Sequence, residues 1–373
     1  MRCKDIIKYL EQWAPKGAAW EKDNVGLQIG NPEGRIKNIM LSLDLSEKVI
    51  NQSIEKKCNL IITHHPIFYH PLKKLNFFAD RISKQIEKIV KHNINLYSAH
   101  TNLDFTKDGV SFQLAKKLQL EDIKLFKPLS NNQVKLVVFV PSSHLDKVSA
   151  AMHKAGGGVI NEYSHCSFRS EGTGTFKGTD KTNPTLGNAG KLEFVREMKL
   201  EMIVDKWKLG PVTDAMEKAH PYEEVAYDIL SLHNKNVNYG MGAVGRLKNS
   251  MTSKEFLKLV STKLHVKYLR YTPGRKNRIK TVTVCGGSCV DLLDEAINKN
   301  SDAFITADLK YHNFHNAEGK ILLVDAGHYE TEAPILDEIQ NRLKSFLNKE
   351  DIKVLKFKGS TNPIIFYNKL GAN

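Results

Sequence analysis

The feature that most restricts this chain is a repeated strand–helix–strand unit. Ile36 to Thr63 aligns without a gap on Ile279 to Thr306, the second unit starting 243 residues after the first. The closing strands read Cys58-Asn59-Leu60-Ile61-Ile62-Thr63 and Ser301-Asp302-Ala303-Phe304-Ile305-Thr306. Just past them, His64-His65 faces Ala307-Asp308. Further on, Asn95 to His100 resembles Leu322 to His328, and an offset of 228 residues pairs His100 with His328 and Asp104 with Glu332. A unit repeated once at this distance is not a short-period solenoid. It calls for two similar α/β lobes related by a pseudo-twofold axis.

Strands alternate with helices in the first lobe, which argues for a mainly parallel sheet covered on both faces. Helices are expected at Cys3–Trp13, Ser46–Lys57, Asp80–Lys91 and Val110–Leu118. The third carries Ile82, Ile86, Ile89 and Val90 as its apolar face. Strands are expected at Ile36–Leu43, Leu60–Thr63 and Ile94–Ser98. The character changes near Pro128. Strand Val134–Val140, helix His144–Ala155, a strand near Tyr163–Phe168, strand Met198–Asp205, helix Leu209–Ala219 and strand Val225–Leu230 follow. That order, β-α-β-β-α-β, fits an α+β ferredoxin-like module inserted between the lobes. The expected organisation is a first α/β lobe at 1–128, the insert at 129–235, and a second α/β lobe at 236–373 that completes the site. Thr252 and Glu255 form a capping box for helix Ser253–Leu264. The Gly240 to Gly245 run matches a dinucleotide-binding spacing but follows no suitable strand, so it reads as a flexible rejoining segment.

Composition excludes several classes. The 373 residues suffice for two or three domains with sizeable cores. No apolar run reaches membrane-spanning length, and the N-terminus lacks a secretion signal. Five scattered cysteines argue against a disulfide framework and for a reducing cytoplasm. Cys285 and Cys289, which flank Gly286-Gly287-Ser288, read as structural rather than as metal ligands. The net charge of +14 is spread over the chain with no recognised nucleic-acid module, so nucleic acid is not the expected partner.

Imidazoles and carboxylates collect where the predicted strands end: His64-His65, His100 with Asp104, and His328 with Glu332. Ligands of parallel sheets gather at these carboxyl ends. Residues four apart share a face over one helical turn, which suits His328 with Glu332 and His100 with Asp104. His64 and His65 serve one cluster only if the chain bends after Thr63, and Pro66 marks that end. Five ligands, His64, His65, Asp104, His328 and Glu332, serve two ions of about three protein ligands each if one carboxylate bridges. Glu332 has the longer stem and is assigned that place. His100 either orients Asp104 without touching an ion, the preferred reading, or is itself a ligand. Asp308 reads as a solvated or capping residue, and His312 and His315 as residues of an exposed loop. The ligand set suits two divalent ions per subunit, zinc first, with iron or manganese as alternatives.

Asp23-Asn24-Val25-Gly26-Leu27-Gln28-Ile29-Gly30, His64-His65-Pro66-Ile67-Phe68, His100-Thr101-Asn102-Leu103-Asp104 and Asp325-Ala326-Gly327-His328 with Thr331-Glu332 resemble the GTP cyclohydrolase type 2 homologues. These are the NIF-three-like family of dinuclear-metal proteins. His220-Pro221-Tyr222-Glu223-Glu224 resembles the CutA- or PII-like insert of its long form. The resemblance implies a toroidal homohexamer with insert trimers, and a metal site facing an internal cavity. It places His64, Asp104 and Glu332 on one ion and His65, His328 and Glu332 on the other. It implies a metal-dependent hydrolase that opens the guanine ring of GTP with metal-bound hydroxide, so a nucleotide is the expected substrate. Beyond metal-bound water, Glu332 is the one side chain considered for a catalytic part. The alternatives are a metal-dependent phosphoesterase and a non-enzymatic metal-binding or regulatory scaffold. Lys73, Lys74 and Lys310 stand near the ligands in sequence and are read as solvated.

Overall fold

The computed structural model describes residues 1–367; the last six residues of the expected second lobe lie outside the described residues. The chain divides into two compact units, one of Met1–Lys127 with the chain from Gly240 onward, the other Pro128–Tyr239. It opens with α1 (Cys3–Trp13), β1 (Gly26–Ile29), β2 (Asn38–Ser42), α2 (Glu47–Glu55) and β3 (Leu60–Thr63). Then come α3 (Arg81–Lys91), β4 (Asn95–Ser98), α4 (Thr101–Asp104), α5 (Val110–Lys117) and β5 (Leu120–Ser130). The middle of the chain is β6 (Gln133–Pro141), α6 (Leu145–Lys154), β7 (Phe168–Lys177), β8 (Leu192–Asp205), α7 (Leu209–Ala219) and β9 (Tyr227–Leu232). It returns through β10 (Lys235–Thr252), α8 (Ser253–Leu264), β11 (Arg270–Thr272), β12 (Arg278–Val284), α9 (Leu293–Asn298) and β13 (Ala303–Thr306). The described part closes with α10 (Tyr311–Ala317), β14 (Leu322–Asp325), α11 (His328–Glu332), α12 (Ile335–Phe346) and β15 (Lys353–Lys356).

The first unit holds two sheets. One has the order β1-β4-β3-β2-β15, the other β11-β14-β13-β12-β10-β5. In each, three central strands are parallel and a short strand closes one edge antiparallel: β1 on β4, β11 on β14. Every residue of β3, β4, β13 and β14 is buried. Such runs lack polar alternation because both sheet faces are covered.

The two sheets share their packing elements. Ile335, Ile339 and Leu343 of α12 belong to the core that Ile6 and Leu10 of α1 form with Leu41, Ile62 and Tyr97. Conversely, Phe112 and Leu114 of α5, with Leu118 just past its end, pack with Phe256 and Val260 of α8 against Val282, Ile305 and Val324. Each sheet therefore buries a helix from the other end of the chain, and the strand ends that carry the histidines are fixed against each other.

Local signals set most boundaries. Ser46 accepts a hydrogen bond from Val49 N at the start of α2, Asp80 accepts one from Ser83 N at the start of α3, and Thr252 with Glu255 closes a capping box on α8. Two expectations fail. Gly240 to Gly245 is not flexible: it lies inside β10, where Ala243, Val244 and Gly245 pair with Val284, Thr283 and Val282. Val90 is 57% exposed, because the buried face of α3 is carried by Ser83, Ile86 and Ile89.

The second unit is one antiparallel sheet, β7-β8-β6-β9. Val138, Leu200 and Met202 on its inner face pack against Val148, Met152, Val212 and Met216 of α6 and α7. The strand expected near Tyr163–Phe168 begins only at Phe168 and runs through the Gly- and Thr-rich stretch to Lys177.

Ile62, 1% exposed between α1 and α12, tests the shared core. Ile62→Ala is expected to cost about 2–5 kcal/mol in denaturant unfolding. A loss below about 1 kcal/mol would mean that the core collapses around the gap or is loosely packed.

Candidate metal centre

β3 ends at Thr63, and the chain bends. The backbone N–H groups of His64 and His65 both donate to the Leu43 carbonyl, at 3.1 and 3.0 Å. Ser98 Oγ donates to the His64 carbonyl and Thr63 Oγ1 to that of His65, each at 2.8 Å. With the ladder broken in this way, the two adjacent imidazoles leave their strand alternation and lie 4.9 Å apart, ring to ring. His100 stands at the start of α4 and Asp104 ends it. His328 and Glu332 are the first and last residues of α11, one turn apart.

Each imidazole is clamped from behind. His64 Nδ1 donates to the Ala99 carbonyl at 2.7 Å. His65 Nδ1 bonds Asp44 at 2.9 Å, His100 Nδ1 bonds Asp23 at 2.9 Å, and His328 Nδ1 bonds Asp308 at 2.6 Å. A carboxylate or carbonyl at Nδ1 fixes the tautomer and leaves the Nε2 lone pair for a cation. Those Nε2 atoms converge on carboxylates. His328 Nε2 is 3.0 Å and His64 Nε2 3.6 Å from Glu332 Oε1, and His65 Nε2 is 3.2 Å from Oε2. His64 Nε2 is also 3.6 Å from Asp104 Oδ1. Four ligands held about 2.1 Å from one ion in a tetrahedron stand about 3.4 Å from each other, so this spacing suits a shared cation.

Burial gives the stronger test of fit. His64 is fully buried and Glu332 is 3% exposed. His64 Nε2, Asp104 Oδ1 and Glu332 Oε2 are buried and make no hydrogen bond. Leaving such atoms unpaired is costly, and a cation satisfies all three together. Two sets of ligand atoms lie close enough to hold an ion: His64, His65 and His100, and His65, His328 and Glu332. His100 thus stands among the other imidazoles, with its ring 5.3 Å from that of His64.

The charges follow from this packing. Burial opposes protonation of His65, but its hydrogen bond to Asp44 and the nearby charge of Glu332 outweigh it and lift its pKa to about 10. His328 is lifted to about 9, with burial again opposing and Glu332 and Asp308 prevailing. Burial works to raise the pKa of Glu332, but the imidazoles around it hold it well below the usual carboxylate range. Asp104 goes the other way: burial dominates and raises its pKa. Asp23 is brought down to about 2, because its bonds to His100 and Thr101 overcome burial.

A cavity of about 120 Å³ adjoins the cluster, lined by His100, Asp104, His328 and Glu332 and walled by Trp20, Tyr69 and the loop Cys285–Cys289. All six histidine and acid positions singled out in the sequence meet here. Three partners were not assigned there. Asp23 was noted only as part of a motif. Asp44 follows the end of β2, the same kind of position that exposed the histidines. Asp308 is exposed, as expected, and also bonds His328. His312 and His315 are exposed on α10, a helix rather than a loop, and Lys73, Lys74 and Lys310 are exposed outside the cavity lining.

The family description Duf34/NIF3 (NGG1p interacting factor 3) matches residues 1–363. The Bacillus subtilis (strain 168) protein named GTP cyclohydrolase 1 type 2 homolog is 41% identical over 97% of this chain and 98% of its own. Its namesake from Halalkalibacterium halodurans is 39% identical over 97% and 98%. The crystal structure of a Bacillus cereus protein related to NIF3 superposes with a TM-score of 0.84 at 36% identity, covering 98% of this chain and 99% of that one. Staphylococcus aureus SA1388 gives 0.77 at 27% identity, with 98% and 99% covered. The chain therefore belongs to the DUF34/NIF3 family.

Proposed function

We propose that the cluster is a dinuclear divalent-metal centre and that the protein is a metal-dependent hydrolase. The observation that carries this reading is the set of buried, unpartnered atoms on His64, Asp104 and Glu332, facing imidazoles whose Nδ1 atoms are already bonded. We assign His64, Asp104 and Glu332 to one ion and His65, His328 and Glu332 to the other, with zinc first and iron or manganese as alternatives. His100 carries the same rear clamp as the other imidazoles, which supports a place beside the ion of His64. When bound, such a pair polarises substrate oxygens and lowers the pKa of water.

The protein supplies the rest. Glu332 reaches both halves of the centre, Asp44 and Asp308 hold His65 and His328 in the tautomer that presents Nε2, and Trp20 and Tyr69 wall the approach. The names of the relatives suggest GTP as substrate. The cavity is smaller than the ~300–1,000 Å³ that encloses a whole ligand of drug size, so only the reacting part of a nucleotide would enter. That size, and the lack of lysines in its lining, leave a smaller phosphoester as the second reading. The matching strand orders of the two sheets support a duplicated lobe. The order of β6 to β9 supports a CutA/PII-like ferredoxin-like insert, and the family resemblance supports a toroidal homohexamer. No helix among the described residues is long and apolar enough to cross a membrane. Unpaired Cys3, Cys58 and Cys166 support a cytoplasmic setting.

Elemental analysis of protein purified without an affinity metal is expected to give about two equivalents per chain. Glu332→Ala is expected to lose both. Incubation with GTP tests the reaction: formate release with loss of guanine absorbance, abolished by Glu332→Ala, is the expected result. Untouched GTP alongside cleavage of a generic phosphoester would favour the second reading.

The residues behind the ligands give a separate test. Asp44→Asn is expected to weaken metal binding about 10- to 100-fold in a competitive chelator titration, with the fold retained. An unchanged affinity would mean that Asp44 does not orient His65.

Proton release is the third measurement. Without metal, His65 (about 10) and His328 (about 9) are protonated at neutral pH, and binding must displace those protons. Metal affinity should therefore rise with pH from 6 to 10, and calorimetry in buffers of different ionisation enthalpy should detect the released protons. Both folded-state values lie above the unfolded value near 6.5. Their contribution to the stability of the metal-free protein is thus full below about 6.5 and is lost as pH rises through about 9–10. A pH-independent affinity with no released protons would contradict the assignment of both imidazoles.

A further inference from the structure

Cys285 and Cys289 are joined by a disulfide, with their Cα atoms 6.0 Å apart, within the range such bridges span. The bridge closes a very short loop. Loop-closure entropy grows with loop length, so this bond does little to stabilise the fold as a whole. Its position is more informative. Both cysteines line the cavity that His328 and Glu332 also line, and Cys289 is only half buried. Between them, Gly287 has a φ of +69° and lies so close to the cluster that a Cβ there would collide with Glu332 Oε1 and stand 3.3 Å from His328 Nε2. The loop is tied to α11 by Gly287 N donating to Thr331 Oγ1 at 3.0 Å, and to β13 by Cys289 N donating to Thr306 Oγ1 at 3.1 Å.

We propose that Cys285 and Cys289 are a reversible thiol–disulfide site coupled to the metal cluster, the dithiol form favouring a bound divalent ion and the disulfide form disfavouring it. This inference rests on reading the cluster as a metal centre. Oxidation joins the two sulfurs across the cavity wall that both cysteines line. It also pins the Gly287 loop against the two residues that carry the second ion. By linkage, whatever factor oxidation takes from metal affinity, bound metal takes from the tendency to oxidise. The partners in exchange are low-molecular-weight thiols of the glutathione class. Such a thiolate attacks Sγ of half-buried Cys289, the S–S bond breaks, and Cys285 leaves and takes up a proton. A second small thiol attacks the sulfur of the first, frees Cys289 as a thiol and departs as the small disulfide. Two electrons pass from two small thiols to the pair, and the reverse exchange with that disulfide restores the bridge. Among the other cysteines, Cys3 and Cys58 are buried, and burial lifts each thiol to about 11, so they do not compete.

The test equilibrates the full-length protein over a series of reduced-to-oxidised glutathione ratios, with and without zinc held at a fixed free concentration by a chelator buffer. Alkylation and intact mass then count the free thiols. A single two-thiol step is expected, absent in Cys289→Ser, with its midpoint moved at least tenfold toward more oxidising ratios by zinc. No step at any ratio, or a step that zinc leaves within twofold, would overturn the coupling. Elemental analysis of the reduced wild type, run alongside, separates the two failures. Two equivalents of metal with an unmoved midpoint overturn this inference alone, whereas absence of bound metal overturns both it and the metal centre.

Discussion

A buried carboxylate facing three imidazoles is the constraint on which the rest of this structure turns. Glu332 is 3% exposed, yet it stays charged, because His64, His65 and His328 surround it. In the metal-free protein the protonated imidazoles of His65 and His328 balance the carboxylate. Such a balance is delicate. Removing one partner from a buried charged cluster leaves the others uncompensated, at a cost of roughly 3–5 kcal/mol. In the proposed centre, divalent ions would replace the protons, would satisfy the orphaned atoms of His64 and Asp104, and would let every Nδ1 bond remain as it is.

The fold supplies this cluster by exchange between its two sheets. His64 and His65 follow β3 and His100 and Asp104 stand at the two ends of α4 after β4, whereas His328 and Glu332 come from α11 after β14. Those segments meet because α12 belongs to the core of the first sheet and α5 to that of the second. The site is therefore placed by apolar packing on both sides of it, and neither sheet alone supplies the whole cluster.

Much of this was legible in the sequence. Unbroken apolar strands end at His64 and His328, and helical spacing joins His328 to Glu332, so the cluster follows from local rules plus one tertiary assumption, that the repeated strand ends meet. Helix starts were legible because Ser46, Asp80 and Thr252 cap by local hydrogen bonds. What was missed depends on long-range geometry. Asp44 and Asp23 bond histidines 21 and 77 residues away, and no spacing pattern encodes that. Asp308 was in register with His65 in the repeat, but its partner proved to be His328. Gly240 to Gly245 was misread because its glycines suggested freedom, whereas pairing with β12 fixes them in a long strand. The pairing of Cys285 with Cys289 could not be read from an odd cysteine count.

In the proposed centre, two cations share Glu332 between imidazoles drawn from both ends of the chain. X-ray absorption at the metal K-edge on the zinc-loaded protein tests it most directly. The expected spectrum has nitrogen and oxygen ligands near 2.0–2.1 Å, multiple scattering from imidazole rings and a second metal at roughly 3.5–4 Å. A shell of water oxygens without imidazole scattering, or imidazole ligands around a solitary ion, would contradict it.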